Sequence, residues 1–163
     1  MWCVRVPRRH HHRRGFTNAW LQEVARLGRG PATLLAAGLV QDPRAVALTP
    51  TEDALVVRQD GGANRVLVLT RDGSAIVRVL LTTADMAQGH GLAVSRSGVV
   101  AVPDTNGKQQ VVVVSVDGAW KRSIDAAVLG SPLGNVCGAA FDSREQLVVC
   151  DRTGNCFVVI ASK

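Results

Sequence analysis

Apolar residues along this chain gather in short runs rich in Val, Leu and Ile, each bounded by Gly, Asp, Asn, Thr or Ser. Short strands separated by tight turns produce that pattern. Three stretches repeat it in register: "AVALTPTEDALVVRQDGGANRVLVLTRDG" from Ala45, "GLAVSRSGVVAVPDTNGKQQVVVVSVDG" from Gly91 and "GAAFDSREQLVVCDRTGNCFVVIASK" from Gly138. Arg65, Gln110 and Cys156 hold equivalent places, so the period is 45 and then 46 residues. A period of that size fits one four-stranded unit of a repetitive all-β fold, each unit burying its faces against its neighbours.

Each unit predicts a small apolar first strand ("AVALT", "GLAVS", "GAAFD") suited to a crowded axis. A second strand follows ("ALVVRQ", "VVAVPD", "QLVVCD"), then a third of continuous apolar residues ("RVLVL", "QVVVV", "CFVVI"). Such runs belong to strands covered on both faces. A less apolar fourth strand ("AIVRVLL", "WKRSID") falls at the rim. Asp72-Gly73 and Asp117-Gly118 lie between third and fourth strands, which predicts two-residue hairpin turns there.

The pattern resembles the NHL repeat, a six-bladed β-propeller family. The resemblance rests on the small first strand, on "VPD" and "VCD" closing the second strands at Asp104 and Asp151, on "NRVLVL" and "KQQVVVV", and on the Asp-Gly turns. It covers roughly residues 44 to 163. Gln59 departs from it where an Asp is expected, with Asp60 beside it, and Cys156 replaces the usual Arg. The expected fold is therefore an all-β propeller segment of about three four-stranded blades with a basic N-terminal extension. The expected divisions are residues 1–17, extension; 18–43, outer strand or helix plus linker; 44–81, blade 1; 82–125, blade 2; and 126–163, an incomplete blade 3.

The segment "NAWLQEVARLG" from Asn18 resembles "GAWKRSIDAAVLG" from Gly118, as an outermost strand seeking a blade would. Phe16, Trp20, Val24 and Leu27 also share one face at helical spacing, so a helix is the competing expectation. About three blades can hardly close a ring alone. The expected alternatives are a fragment of a longer propeller protein, a head-to-tail homodimer completing six blades, and an open arc.

Charge sharpens this picture. The chain of 163 residues carries net +6, and residues 1–30 account for all of it, with seven Arg against Glu23. From residue 31 onward, twelve basic residues meet twelve acidic ones, so the repeats lack the excess charge of a phosphate-binding domain. The tail "RRHHHRRG" leaves RNA or an acidic surface as expectations for that segment alone. No apolar run approaches the ~20 residues of a spanning helix. Cys3, Cys137, Cys150 and Cys156 form no CxxC pair and no zinc spacing. Reduced thiols in a cytoplasmic protein are expected, with Cys150 and Cys156 able to face each other across a hairpin.

Candidate binding residues fall in the loops between second and third strands and in the inter-blade linkers: Arg65, His90, Asn106, Lys108, Asn135 and Arg152. His90, just before an inner strand, could point into a central channel. Asp60, Asp104 and Asp151 recur about once per blade, either as calcium ligands or as turn acids bonded to backbone. No Gly-rich phosphate loop, GxSxG or HExxH is present. The expectation is a non-catalytic scaffold that binds a protein partner, with no cofactor, no metal and no membrane. The alternatives implied by the resemblance are a propeller enzyme of lactonase, hydrolase or amidating-lyase type using a channel metal, and a binder of single-stranded RNA.

Overall fold

A computed structural model describes residues 24–26, 33–88, 91–105 and 108–161. They form a hairpin and three sheets. The hairpin joins β1 (Val24–Arg26) to β2 (Thr33–Leu35) through three antiparallel residue pairs. Of the segment where strand and helix competed, Val24–Arg26 is strand; residues 1–23 lie outside the described residues.

The first sheet orders β3 (Pro43–Leu48), β4 (Ala54–Gln59), β5 (Arg65–Thr70) and β6 (Ile76–Leu81) as an antiparallel meander. The second repeats it with β7 (Ala93–Val94), β8 (Val99–Asp104), β9 (Gln110–Ser115) and β10 (Lys121–Ile124). A single helical turn, α1 (Ala126–Leu129), is capped by Asp125, whose carboxylate accepts the Ala127 and Val128 N–H groups. The third sheet holds β11 (Val136–Phe141), β12 (Leu147–Asp151) and β13 (Cys156–Ile160). Pairing of Gln59 with Arg65, Asp104 with Gln110 and Asp151 with Cys156 confirms the register read from the repeat.

The sheets stack. Val56 and Val66 of the first meet Val100, Val102, Val112 and Val114 of the second, with Leu81 and Met86 wedged between them. On its other face the second sheet presents Ala101, Val111 and Val113 to Val136, Leu147 and Val149, with Leu133 as the wedge. The apolar runs of β5 and β9 are thus covered on both sides, as their lack of alternation predicted; the expectation fails for β13, where Phe157 is 72% and Val159 58% exposed because no further sheet lies against that face among the described residues. Burial of each such side chain contributes roughly 1.5–3 kcal/mol before the entropy of ordering is set against it. Inner strands β3, β7 and β11 lie in sequence along one side of the stack. They approach closely: a Cβ on Gly91 would sit 3.2 Å from Gly138 Cα, which is why small residues recur there.

The hairpin occupies the outer positions of a preceding blade. Thr33–Leu35 precedes Arg78–Leu80 by the 45-residue period. Leu35, Ala36 and Val40 pack against Leu55, Val57, Leu67 and Leu69 of the first sheet.

Two expectations are corrected. The Asp-Gly turns are four-residue loops: Thr70 N–H bonds to Ala75 O, and Ser115 N–H to Trp120 O. Asp72 and Asp117 accept the N–H groups of Ser74 and Ala119, so each Asp initiates a local turn and only the Gly takes positive φ, +69° and +73°. Nor do Cys150 and Cys156 face each other. Cys150 pairs with Phe157 and Cys156 with Asp151, putting the two thiols on opposite faces, and Cys137, Cys150 and Cys156 are all free.

Candidate functional site

The loops between second and third strands gather at one end of the stack, and one repeated device builds that end. The second strand of each blade closes on an acceptor side chain that binds the linker entering the same blade. Asp104 accepts N–H groups from Ala87 (3.0 Å) and Gln88 (3.1 Å) through one oxygen, and the Lys108 N–H (3.4 Å) and Gln110 amide (3.5 Å) through the other. Asp151 accepts from Gly134 (2.8 Å), Thr153 (3.0 Å) and Gly154 (3.0 Å). The N–H groups of Gly154 and Gly134 lead in holding this buried carboxyl below its ordinary pKa, against the opposing effect of burial. Gln59 does the same work without a charge: its oxygen accepts Gln41 N–H at 3.4 Å, and its nitrogen donates to Ala63 O at 3.3 Å.

Each donor follows the buried linker side chain that fills the wedge: Val40 before Gln41, Met86 before Ala87, Leu133 before Gly134. Wedge and tether are adjacent in the chain, the tether donor 17 or 18 residues before the acceptor. Asp104 and Asp151 are consumed by backbone donors, the bonded arrangement of the two read from the sequence. Asp60 instead pairs with Arg44 (3.1 Å) and Arg58 (3.4 Å). Among the described residues no group of three or more His, Cys, Asp or Glu side chains is placed to hold a metal ion.

Arg58 has no counterpart in the other units, where Pro103 and Cys150 stand. It is fully buried, its Nη1 donates to Pro103 O across the seam at 3.2 Å, and its Nη2 has no hydrogen-bond partner among the described residues. Burial lowers its pKa from the ordinary value, and Asp60 opposes that shift. The signal available in the sequence was an arginine amid a valine strand.

The expected binding residues divide clearly. His90 and Asn106 lie outside the described residues. Lys108 and Arg152 are exposed on second-to-third-strand loops and Arg65 at the head of β5 beside such a loop, one per blade, with no carboxylate in ion-pair range among the described residues. Asn135 is half-buried and joins Arg152 through its backbone: Asn135 O accepts the Arg152 N–H at 2.8 Å, and Asn135 N–H bonds Thr153 Oγ1 at 3.0 Å. The structure therefore brings Asn135 and Arg152 together and sets Arg65 and Lys108 on the neighbouring blades.

The opposite end carries a tie between blades that the sequence reading missed. Glu145, at φ +62°, sends its carboxylate to the Arg96 N–H (3.0 Å), Ser97 N–H (3.0 Å) and Ser97 Oγ (2.7 Å) of blade 2. The Ser97 hydroxyl and N–H lead in drawing its pKa down to about 2. A carboxyl whose folded pKa is depressed stabilises above its unfolded pKa and loses that contribution as pH falls toward the folded one. Wild type is therefore expected to lose thermal stability between about pH 4.5 and pH 2. Glu145→Gln should melt lower at neutral pH and vary less across that interval. Parallel melting curves of equal slope in acid would contradict this. Between blades 1 and 2 the same end has a groove of about 370 Å³, where Arg78 and Arg96 share the lining with Asp53 and Asp117. Its charges balance, so it favours neither sign of ligand.

No family model matches the chain, and no curated protein matches it. Solved structures do. A chain of a nidogen/laminin complex superposes with TM-score 0.66 at 14% identity over 84% of this chain and 49% of that one. A gluconolactonase from Xanthomonas campestris gives TM-score 0.57 at 24% identity over 79% and 41%. The U3-55K structure gives 0.50 at 12% over 75% and 40%. The chain thus spans about half or less of the length of these proteins. At such identities the likeness establishes fold alone. Stacked sheets repeating every 45–46 residues, with inner strands side by side, make this chain part of a β-propeller.

Proposed function

We propose that the protein is a non-catalytic, NHL-type propeller scaffold whose second-to-third-strand loops bind an acidic segment of a protein partner. One observation carries this reading. The acids Asp104 and Asp151 are spent largely on backbone donors, while Arg65, Lys108 and Arg152 remain exposed, one to each successive blade, without acidic partners among the described residues. A row of unpaired cations on a rigid scaffold attracts negative charge and steers its approach. The repeats are otherwise charge-balanced, which favours a protein ligand over RNA. The free thiols of Cys137, Cys150 and Cys156 accord with a cytoplasmic setting.

The test titrates a fluorescent Glu-rich peptide and, separately, a single-stranded RNA against the full chain. Peptide binding that weakens with salt, and falls at least about tenfold in an Arg65→Glu/Lys108→Glu/Arg152→Glu variant, is expected from loss of three favourable charges. Peptide binding indifferent to the reversal would reject this face. RNA retention without peptide binding would make the protein a nucleic-acid binder. Lactone hydrolysis that requires an added divalent metal would make it an enzyme.

A further inference from the structure

The groove between blades 1 and 2 lies where the next seam is closed by Glu145. The turns between first and second strands correspond bond for bond. In blade 3, Asp142 N–H bonds Gln146 O and Glu145 N–H bonds Asp142 O; in blade 2, Ser95 N–H bonds Val99 O and Gly98 N–H bonds Ser95 O. Thr49 N–H to Ala54 O and Glu52 N–H to Thr49 O repeat the scheme in blade 1, with Asp53 as an added residue. Glu145, Gly98 and Glu52 are therefore equivalent, and all three take positive φ, +62°, +82° and +57°. Glu145 sends a carboxylate from blade 3 to the Arg96 and Ser97 N–H groups of blade 2. Gly98 has no side chain to send to blade 1. A Cβ there would lie 3.2 Å from Val116 Cγ1 and 4.0 Å from Pro50 Cγ, both of which line the groove.

The surroundings of that position select a ligand. Thr51 supplies the N–H that corresponds to that of Ser97, but Pro50 stands in the place of Arg96 and has none. Guanidinium groups make up the difference: Arg78 and Arg96 line the groove, and among the described residues neither has a carboxylate in ion-pair range. Asp53 and Asp117 bring the lining to zero net charge. Both are held below the ordinary carboxylate pKa, Asp53 chiefly by the Thr51 hydroxyl and Asp117 chiefly by the Ser115 hydroxyl, so both are anionic at neutral pH. Val68, Val77 and Val116 add an apolar surface. A purely anionic ligand would meet two acids, and a purely cationic one two arginines. A small molecule carrying both charges on an aliphatic body suits all three kinds of lining. The volume of about 370 Å³ is within the range of small-molecule sites.

We infer that this groove binds a free aliphatic α-amino acid. Its carboxylate is taken by Arg96 and the Thr51 N–H, in the position that Glu145 fills in the next seam; its ammonium faces Asp53 and Asp117, and its side chain rests on the three valines. The ligand thereby ties together two blades that no hydrogen bond joins at this rim among the described residues. This goes beyond the scaffold reading and does not depend on the loop cations, which lie at the opposite end.

Titrating the isotope-labelled full chain with L-leucine should shift the Gly98 and Thr51 amide resonances saturably. N-acetyl-leucine and leucinamide, each lacking one of the two charges, should bind at least about tenfold more weakly, as expected when a charged partner is left unmatched. Gly98→Glu supplies a carboxylate from the protein itself and should abolish the leucine-induced shifts. If that variant fails to fold, Arg96→Gln decides: the side chain is exposed, the backbone tie to Glu145 is kept, and leucine binding should fall at least about tenfold. Absence of leucine-induced shifts at Gly98 and Thr51, equal binding of leucine and both blocked forms, or unchanged binding by Arg96→Gln would each overturn the inference. So would a blocked peptide, acetyl-Lys-Leu-Glu amide, that binds where leucine does not, which would make the groove a peptide-docking surface.

Discussion

Asp104→Ala should lower the stability of the protein by about 3 kcal/mol, since buried donors left unsatisfied cost roughly 1–3 kcal/mol each and nearby backbone can recover only part. For a domain of this size that corresponds to roughly 10 °C in melting temperature. The side chain is 1% exposed and accepts four donors from two segments, the Ala87–Gln88 linker and the Lys108–Gln110 loop. Its removal frees both. Asp104→Asn should cost less, about 1–2 kcal/mol, because one oxygen survives while the new NH2 faces donors. Gln59 shows that a neutral amide suffices where the second contact is a carbonyl, here Ala63 O. Thermal melts of the three proteins check the order. Equal melting of wild type and Asp104→Ala would mean that the tether contributes nothing to stability.

Gly73→Ala is expected to be nearly as damaging for a different reason. Gly73 sits at φ +69°, where a Cβ costs about 1–2 kcal/mol in conformational strain. The same Cβ would lie 2.6 Å from Ala36 N and 2.9 Å from Leu35 Cβ, so the β2 end must move away from blade 1. Gly38→Ala provides the control. Its φ is +79°, yet nothing lies within 4 Å of the added carbon, so only the strain should register. The difference in denaturant midpoint between the two variants measures how firmly the hairpin is seated. Identical losses would show that β2 is not held against the Asp-Gly loop.

The repeat was legible because its signal is redundant. Period, strand order and the Asp-Gly positions each carry it, and the partners of Gln59, Asp104 and Asp151 confirm it residue by residue. The type of hairpin loop was not legible. Asp-Gly fits a two-residue turn as well as a four-residue one, and what decides is the Asp side chain closing on Ser74 or Ala119. The tethers were half visible: recurring acids stood out, but their donors are backbone groups, which carry no sequence signature. Only the wedge residues Val40, Met86 and Leu133 mark the place, and a lone apolar residue in a linker looks ordinary. Glu145 was invisible for the same reason, since its partners are amides of another blade. Arg58 was the clearest missed opportunity, a charged residue inside an otherwise apolar strand whose siblings are Pro103 and Cys150.

The two seams are fastened unequally. Blades 2 and 3 are tied near one rim by Thr105 Oγ1 donating to Val136 O, and at the other by Glu145. Blades 1 and 2 share the Arg58 contact at the loop end, while the opposite rim opens into the groove, with no hydrogen bond crossing it among the described residues. Under mechanical load or partial denaturation, the molecule is expected to part along its first seam from the groove upward. Blades 2 and 3 should then travel together as the more durable body, with amide exchange in β6 outpacing that in β12.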